Sequence, residues 1–462
     1  SRGVKLLAKS FTMPNVEVGS IIEYRYRHDL PFGYVFDSRW ILSADLFTRY
    51  AKFSLRPYGY YALTWSWPVG LPANTNPPKS EHGTIRLETH DVAAFVTEEY
   101  MPPEDVLKYR VEFIYTWGDM PEKKDPAEFW KAYGKLRYSS VEDFVGKRRV
   151  MEEAVAQITQ PGDSLEIKLR KIYARTQQLR NLSYERAKSE QETRRERQKD
   201  AHNVADVWKN GYGNGLDITW LFLALARAAG AEADPLLVAT RDVYFFDPMF
   251  MNPWQLNTNA VVVKLDGKEL FLDPGTAFTP FGLLPWPETA VRALRLDKQG
   301  GRWVNMPLPA PSSSRIERKL NLQLTTSGTL QGKATVTYTG LEALWRRIAE
   351  RNEDETDRKQ FLEDDIQGAI PSGSDATLTN APAWNSSEPS LVAEYDLTVP
   401  GWAAAAGRRA LLPVGLFGAG EKHTFEHAAR VHALYFSFPY QHVDDITIEL
   451  PAGWEVTSTP PP

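Results

Sequence analysis

The sequence predicts an α+β multidomain fold, in which an N-terminal and a C-terminal β-sandwich-like domain flank a central α+β core. Apolar and polar residues alternate in short runs near both ends of the chain, which is typical of half-buried strands. The middle instead carries apolar residues at helical spacing, followed by short apolar runs. At about 150 residues per domain, 462 residues suggest about three domains. We place them at 1–120, 121–308 and 315–462.

Two runs with a period of two define the first domain. Their apolar members are Ile22, Tyr24 and Tyr26, and then Val111, Phe113, Tyr115 and Trp117. Proline or glycine bounds each run, so both are predicted to be strands. A cluster of aromatic residues fits two interpretations, a sugar-stacking surface or the core and rim of a β-sheet. Its members are Tyr58, Tyr60, Tyr61, Trp65 and Trp67.

The central domain is predicted to begin with helices and to continue with strands. Apolar residues at helical spacing predict helices around 129–133, 141–145, 151–158 and 165–179, the last capped by Asp163 or Ser164. Residues 185–200 are charged almost throughout, which indicates a solvated loop or helix or, alternatively, an interaction arm. Strands are predicted at 236–241, 260–265 and 269–273, the last two joined by a turn at Asp266-Gly267-Lys268.

A segment rich in proline and serine at 307–314 is predicted to link the central domain to the last one. Beyond it, alternation predicts strands at 316–324, 330–338, 391–399 and 446–450. A helical insert is predicted over 341–366. Together these elements predict the C-terminal β-sandwich-like domain.

Composition limits the functions open to the chain. The 54 basic and 59 acidic residues nearly balance, which argues against nucleic-acid binding. No apolar run of about 18 residues is present, so we expect no membrane span. The absence of cysteine excludes disulfides and thiolate metal sites, and we expect neither a cofactor nor a metal.

Three histidines lie close together in the sequence, at His423, His427 and His432. A His-x-x-x-His pair on a helix can bind a metal. The surrounding residues favour strand or coil, where this spacing does not converge, and ordinary surface or core histidines are the alternative.

The most informative segment is Gly-Tyr-Gly-Asn-Gly-Leu-Asp at 211–217, which runs into an apolar helix predicted at 218–229. Small residues before a buried helix can deliver one side chain to its first turn. There the helix dipole lowers the pKa of a cysteine and makes it a nucleophile. Gly215 occupies that position in this chain.

This segment resembles the nucleophile region of bacterial transglutaminase-like proteins, in which a Gly-Asp-Cys-x-Asp run opens the helix. The resemblance continues through Asn-Thr-Asn-Ala-Val-Val-Val at 257–263 and Leu-Phe-Leu-Asp-Pro at 270–274. It implies a papain-like α+β core whose catalytic cysteine, histidine and aspartate fall on Gly215, Asn259 and Asp273. The intervals, 259 − 215 = 44 and 273 − 259 = 14 residues, stay in the family's register.

Both flanking domains share in the resemblance. Residues 11–26 resemble the β-rich domain of unknown function that precedes transglutaminase-like domains in many bacterial secreted proteins. Because this match begins almost at Ser1, we expect the front of that domain to be missing. Residues 439–454 resemble a segment of domains appended to the same family.

Two of the three catalytic positions have lost their chemistry. Gly215 has no side chain and Asn259 does not titrate, so no proton shuttle remains. Thr219 and Thr258 are hydroxyls without an evident base, and His202 lies in a polar approach segment. We therefore expect no active catalytic residue.

The resemblance implies a catalytically inactive transglutaminase-like protein of the bacterial cell envelope, periplasmic or secreted. It would bind a peptide or glycan or scaffold a protein partner. The alternative is a cysteine-independent amide hydrolase or acyl transferase that uses an unrecognised nucleophile. We expect Asn259 to donate a hydrogen bond to Asp273, and the helix N-terminus bared by Gly215 to bind an anion. The candidate ligand-binding residues are Tyr212, Asn214, Gly215, Asp217, Thr258 and Asn259.

Overall fold

The computed structural model describes residues 12–27, 38–59, 62–116, 125–146, 148–186, 188, 192, 195–196, 198–413, 415–418 and 428–458. The chain forms two compact units. The first comprises Ser1–Asp125 and Arg186–Asp200, and the second comprises Pro126–Glu185 and Ala201–Pro462. The division into three domains at 1–120, 121–308 and 315–462 stays a prediction.

The first unit contains two small sheets around one hydrophobic core. Its elements are β1 (Ser38–Ile41), β2 (Thr48–Leu55), β3 (Ala62–Ser66), β4 (Lys79–Glu81), β5 (Thr84–Val92), α1 (Glu104–Leu107) and β6 (Arg110–Thr116). The sheets have the strand orders β1-β6-β3 and β2-β5-β4. Ile85 and Leu87 of β5 pack in the same core as Val111 and Phe113 of β6, because alternate residues of each strand point to one face.

The predicted strand at Ile22, Tyr24 and Tyr26 is wrong. Residues 20–27 form neither strand nor helix, and the side chains of Tyr24 and Tyr26 are exposed. Alternation alone does not make a strand, because the backbone also needs a neighbouring strand to hydrogen-bond to. Tyr60, Tyr61 and Trp117, to which the sequence analysis also assigned places in this domain, lie outside the described residues.

The second unit begins with a layer of helices that pack around one apolar helix. Its first elements are α2 (Pro126–Val145), α3 (Arg148–Ile158), α4 (Leu165–Gln177), β7 (Arg180–Asn181), α5 (Val204–Asn210), β8 (Tyr212–Gly213) and α6 (Gly215–Ala228). The two short helices predicted at 129–133 and 141–145 are one continuous helix, α2, since no proline or turn signal interrupts it. Ser164 caps α4 by accepting from the N–H of Ile167, as one of the two predicted caps.

A mixed core surrounds α6. The helix packs on a sheet of order β11-β10-β9-β12-β13, and its residues from Ile218 to Ala226 are all buried. The strands are β9 (Glu232–Val238), β10 (Thr258–Leu265), β11 (Lys268–Leu272), β12 (Arg292–Arg295) and β13 (Arg302–Asn305). A second cluster of apolar residues buries the other face of the sheet. Asp266 and Gly267, both with positive φ, form the predicted tight turn between β10 and β11.

The C-terminal part of this unit differs from the predicted sandwich. Its elements are β14 (Arg315–Leu324), β15 (Leu330–Tyr338), α7 (Leu341–Ala349), α8 (Glu355–Ala369), β16 (Asp375–Leu378), β17 (Leu391–Val399), β18 (Ala404–Ala406), β19 (Arg409–Leu411) and β20 (Gln441–Glu449). Five strands form one sheet of order β16-β17-β15-β14-β20. Leu362 and Ile366 of α8 pack in the core of this sheet, so in the described part of the chain a helix covers the face on which a second sheet was expected.

The predicted linker at 307–314 is not a free connection. Ser314 is buried, its hydroxyl accepts from the N–H of Leu341, and its carbonyl accepts from the N–H of Gln441. These bonds tie the segment to α7 and β20. Within the described residues, no helix is both long enough and apolar enough to cross a membrane.

Candidate functional site

The N-terminus of α6, where the resemblance expects a nucleophile, is capped from within the chain. The side chain of Asn214 accepts from the N–H of Asp217 at 2.9 Å, and the carboxylate of Asp217 accepts from the N–H of Asn214 at 3.0 Å. These reciprocal bonds form a capping box. The hydroxyl of Ser183 accepts from the N–H of Gly215 at 3.0 Å. At the expected anion site, the N–H groups of Gly215 and Asp217 therefore already donate to side chains of this chain.

Gly215 lies against the backbone of Gly275. A Cβ atom at Gly215 would be 2.9 Å from the carbonyl oxygen of Gly275, which is closer than real Cβ contacts come. A Cβ at Gly275 would in turn be 2.4 Å from the carbonyl oxygen of Gly215 and from Oγ1 of Thr219. Gly215 has no positive φ, so the close approach of Gly275, and not the backbone conformation, requires glycine here. No room remains for a cysteine side chain without movement of Gly275.

The segment that follows β11 is fixed by Asp273. Its Oδ1 accepts from the N–H groups of Gly275 and Thr276 at 2.9 and 3.0 Å. The buried hydroxyl of Tyr173 donates to the carbonyl oxygens of Asp273 and Thr279 at 2.9 and 3.0 Å. Asp273 thus sets the path that brings Gly275 against Gly215.

A second buried acid, Glu288, is the partner of the Asp273 side chain. The residues are 1% and 3% exposed. Burial raises the pKa of Asp273, although hydrogen bonds from Thr276 and Glu288 oppose this. Burial, followed by the negative charge of Asp273, raises the pKa of Glu288 well above its usual range. Two adjacent carboxyl groups in an apolar interior do not both ionise.

One proton on this pair satisfies both side chains. As two carboxylates, neither can donate, and Oδ2 of Asp273 and Oε2 of Glu288 then have no hydrogen-bond partner. The hydrogen bond between them lowers the pKa of Asp273 and raises that of Glu288. The two buried carboxyl groups therefore share one proton.

Sequence reasoning missed Glu288. It lies in a short 3-10 helix, Trp286–Glu288, after a proline, and its distance from Asp273 along the chain gives no spacing signal. An acidic residue between Pro287 and an apolar stretch is the only local hint of burial.

Asn259 does not take the place of the imidazole. The expected hydrogen bond to Asp273 is not formed, and the Asp273 side chain is held by Gly275, Thr276 and Glu288 instead. Neighbouring residues of a strand point to opposite faces of the sheet. Since Thr258 donates to Oε1 of Glu288 at 3.3 Å, Asn259 faces away from the acid pair.

The other candidate positions have structural contacts of their own. Tyr212 belongs to β8, which pairs in parallel with β7. Thr219 is buried, and its hydroxyl donates to the carbonyl of Gly215 at 2.9 Å. A ligand-binding role for Tyr212, Asn214 and Asp217 stays a prediction.

Most of the histidines considered as a possible metal site cannot be placed in the fold. His423 and His427 lie outside the described residues. Within the part of the chain that the structure covers, His, Asp and Glu form no group of three or more suited to a metal ion.

The chain is distantly similar to a solved structure. No protein-family model and no curated protein matches it. It is similar to a crystal structure named as a "putative protease" from Parabacteroides distasonis, with a TM-score of 0.41 and 12% identity. The alignment covers 82% of this chain and 70% of that one. A likeness of this size assigns neither a family nor an activity to the present chain.

Proposed function

We propose that this chain is a catalytically inactive transglutaminase-like protein of the bacterial cell envelope. We call the matched positions Gly215, Asn259 and Asp273 the degenerate triad. The chain binds a peptide or glycan, or holds a protein partner, through surfaces outside this triad. The observation that carries the proposal is the contact between Gly215 and Gly275, where a Cβ would lie 2.9 Å from a carbonyl oxygen. A nucleophilic side chain at this position has no space.

The remaining acid supports the same proposal. Asp273 is 1% exposed and accepts from two backbone N–H groups. A catalytic carboxylate must orient an imidazole beside the substrate, whereas this one holds the loop that closes the site. Its role is to stabilise the fold.

The alternative, a cysteine-independent amide hydrolase or acyl transferase, has one observation in its favour. Oγ1 of Thr258 lies 3.3 Å from Oε1 of Glu288, the geometry of a hydroxyl beside a base. Glu288 is 3% exposed, however, and burial raises its pKa well above the usual range. A protonated, buried carboxyl group is a poor general base.

An assay of the purified chain separates the two functions. We expect neither incorporation of a primary amine into a glutamine-containing protein nor hydrolysis of peptide amides above the background of a mock purification. Turnover that survives repurification and disappears in Thr258→Val would instead establish the alternative, because valine keeps the shape of threonine and removes the hydroxyl.

Binding is tested by thermal unfolding with peptidoglycan fragments, peptides and oligosaccharides. A ligand that binds only the folded chain raises the Tm with concentration. We expect one of these classes to do so, and to act equally on Asn259→Ala, since the proposal places binding outside the triad. Loss of the Tm shift in Asn259→Ala would show instead that the ligand binds at the degenerate triad.

A further inference from the structure

A cavity of about 290 Å³ lies between the loop at 280–283, the start of α7 and the loop at 387–390. Phe281, Gly340 and Arg347 are among the residues that line it. Its polar lining also includes Ser387, Glu388 and Ser390. The cavity is separate from the residues of the degenerate triad.

Arg347 is a buried charge that pairs with no carboxylate among the described residues. The residue is 1% exposed. Its Nη2 donates to the carbonyl oxygens of Ala383 and Pro389, at 3.1 and 2.6 Å, and its Nε is buried with no hydrogen-bond partner. Burial lowers the pKa of Arg347 to about 10, so the side chain still carries its positive charge at pH 7.

Arg346, the preceding residue of the same helix, has the carboxylate partners that Arg347 does not have among the described residues. Arg346 is also buried, but it pairs with Glu342 at 2.7 Å and with Asp365 at 2.9 Å. Buried charges in proteins are normally paired. No carboxylate of the described residues forms an ion pair with Arg347.

The other groups around the cavity suit a small ligand with one negative charge. Ser387 and Ser390 are half-buried and supply hydroxyl donors. Phe281, Leu283 and Ala343 supply apolar wall. Glu388 opposes an anion, although its Oε1 accepts from the N–H of Phe281 at 3.0 Å and its side chain is otherwise exposed.

We propose that this cavity binds a carboxylate with a short apolar substituent, which accepts hydrogen bonds from Arg347 and from the hydroxyls of Ser387 and Ser390. One guanidinium opposed by one nearby carboxylate favours a monoanion over a dianionic phosphate. Cavities that bind small ligands have volumes upward of about 300 Å³, so the ligand is no larger than the end of a peptide. The carboxylate belongs either to a peptide C-terminus or to a free short-chain acid.

Calorimetric titration of the full chain at pH 7 tests this proposal with defined probes. N-acetylalanine is compared with its C-terminal amide, which has the same shape and no charge. We expect the acid to bind and the amide to bind at least about tenfold more weakly, because hydrogen bonds to a charged group are the stronger ones. N-acetyl-alanyl-alanine and propionate then identify the source, since a peptide C-terminus favours the former and a free acid the latter. Inorganic phosphate is expected to bind more weakly than the acid.

Two variants with matched controls locate the site. Arg347→Met removes the charge and keeps most of the bulk. Arg351→Met changes an arginine just after the same helix that does not line the cavity. Because Arg347 also holds the loop at 383–389, its variant is checked for folding by circular dichroism. Ser387→Leu fills the cavity and leaves Arg347 in place, and Ser386→Leu is its neighbour outside the cavity.

The expected result is a loss of affinity for N-acetylalanine of about tenfold or more in Ser387→Leu and in folded Arg347→Met, with both controls unchanged. Equal binding of acid and amide would overturn the proposal. So would wild-type affinity in Ser387→Leu, or the absence of any binding at about 10 mM, where even weak affinities register.

Discussion

The buried carboxyl groups of Asp273 and Glu288 interact with each other, and neither Oδ2 of Asp273 nor Oε2 of Glu288 has another hydrogen-bond partner among the described residues. Asp273 accepts a hydrogen bond from the N–H of Gly275, the residue that contacts Gly215. Asp273 therefore keeps a role in the fold at a place where the resemblance implies a catalytic role.

The acid pair makes the stability of the second unit depend on pH. The pKa of Glu288 is raised on folding, so its contribution is fully present below the unfolded value, about 4.3. It is lost as pH rises toward and through the folded pKa, because the unfolded chain releases the proton first. The raised pKa of Asp273 acts in the same direction. Glu288→Gln keeps a donor for Asp273 without a proton to lose.

We expect the free energy of unfolding of Glu288→Gln, relative to that of the wild type, to increase as pH rises from about 4 to 8. Urea unfolding at each pH measures this difference. The exposed Glu355→Gln is the control and is expected to follow the wild type. A difference between Glu288→Gln and wild type that does not change with pH would contradict the protonated pair.

Asp273→Ala is expected to destabilise the chain by about 1–3 kcal/mol, because the N–H groups of Gly275 and Thr276 lose their acceptor. Asp273→Asn retains an oxygen for these two bonds and an amide that can donate to Glu288, so we expect a smaller loss. Chemical unfolding of both variants gives the comparison. Equal losses would show that the backbone bonds to Oδ1 contribute little.

Gly215→Ala is expected to destabilise the chain by about 1–3 kcal/mol, because the new methyl group meets the carbonyl of Gly275. Gly368 of α8 is a helical glycine whose Cβ would meet nothing within 4 Å. Gly368→Ala is therefore expected to stabilise the chain by up to about 1 kcal/mol. Thermal unfolding distinguishes the two. A neutral Gly215→Ala would mean that the loop at Gly275 yields easily and that a cysteine could be accommodated.

Tyr173→Phe removes the hydroxyl that donates to the carbonyl oxygens of Asp273 and Thr279. Both acceptors lie in the interior, so we expect a loss of about 1–3 kcal/mol in the free energy of unfolding. Tyr26→Phe, at a residue 81% exposed, is the control and is expected to stay within about 0.5 kcal/mol. Similar values for the two variants would argue against the network around Asp273.

Much of the fold followed from local patterns. The run from Ile218 onward is apolar on all sides, and α6 is buried accordingly. The strands β14, β15 and β17 lie where alternation predicted them. Ile22, Tyr24 and Tyr26 show the limit of this reasoning, because the same alternation there gives an exposed segment with neither strand nor helix.

The sequence by itself determined which chemistry is absent. Without cysteine, and with Gly215 and Asn259 at the matched positions, no thiolate or imidazole can act there. Tertiary structure alone decided which groups surround Asp273, since Glu288 interacts with it only in the folded chain. It also buried Arg347 with no ion pair to a carboxylate of the described residues, whereas Arg346 pairs with Glu342 and Asp365. The physical reason is that ionisable groups distant in sequence interact through space, and their burial depends on how helices and strands pack.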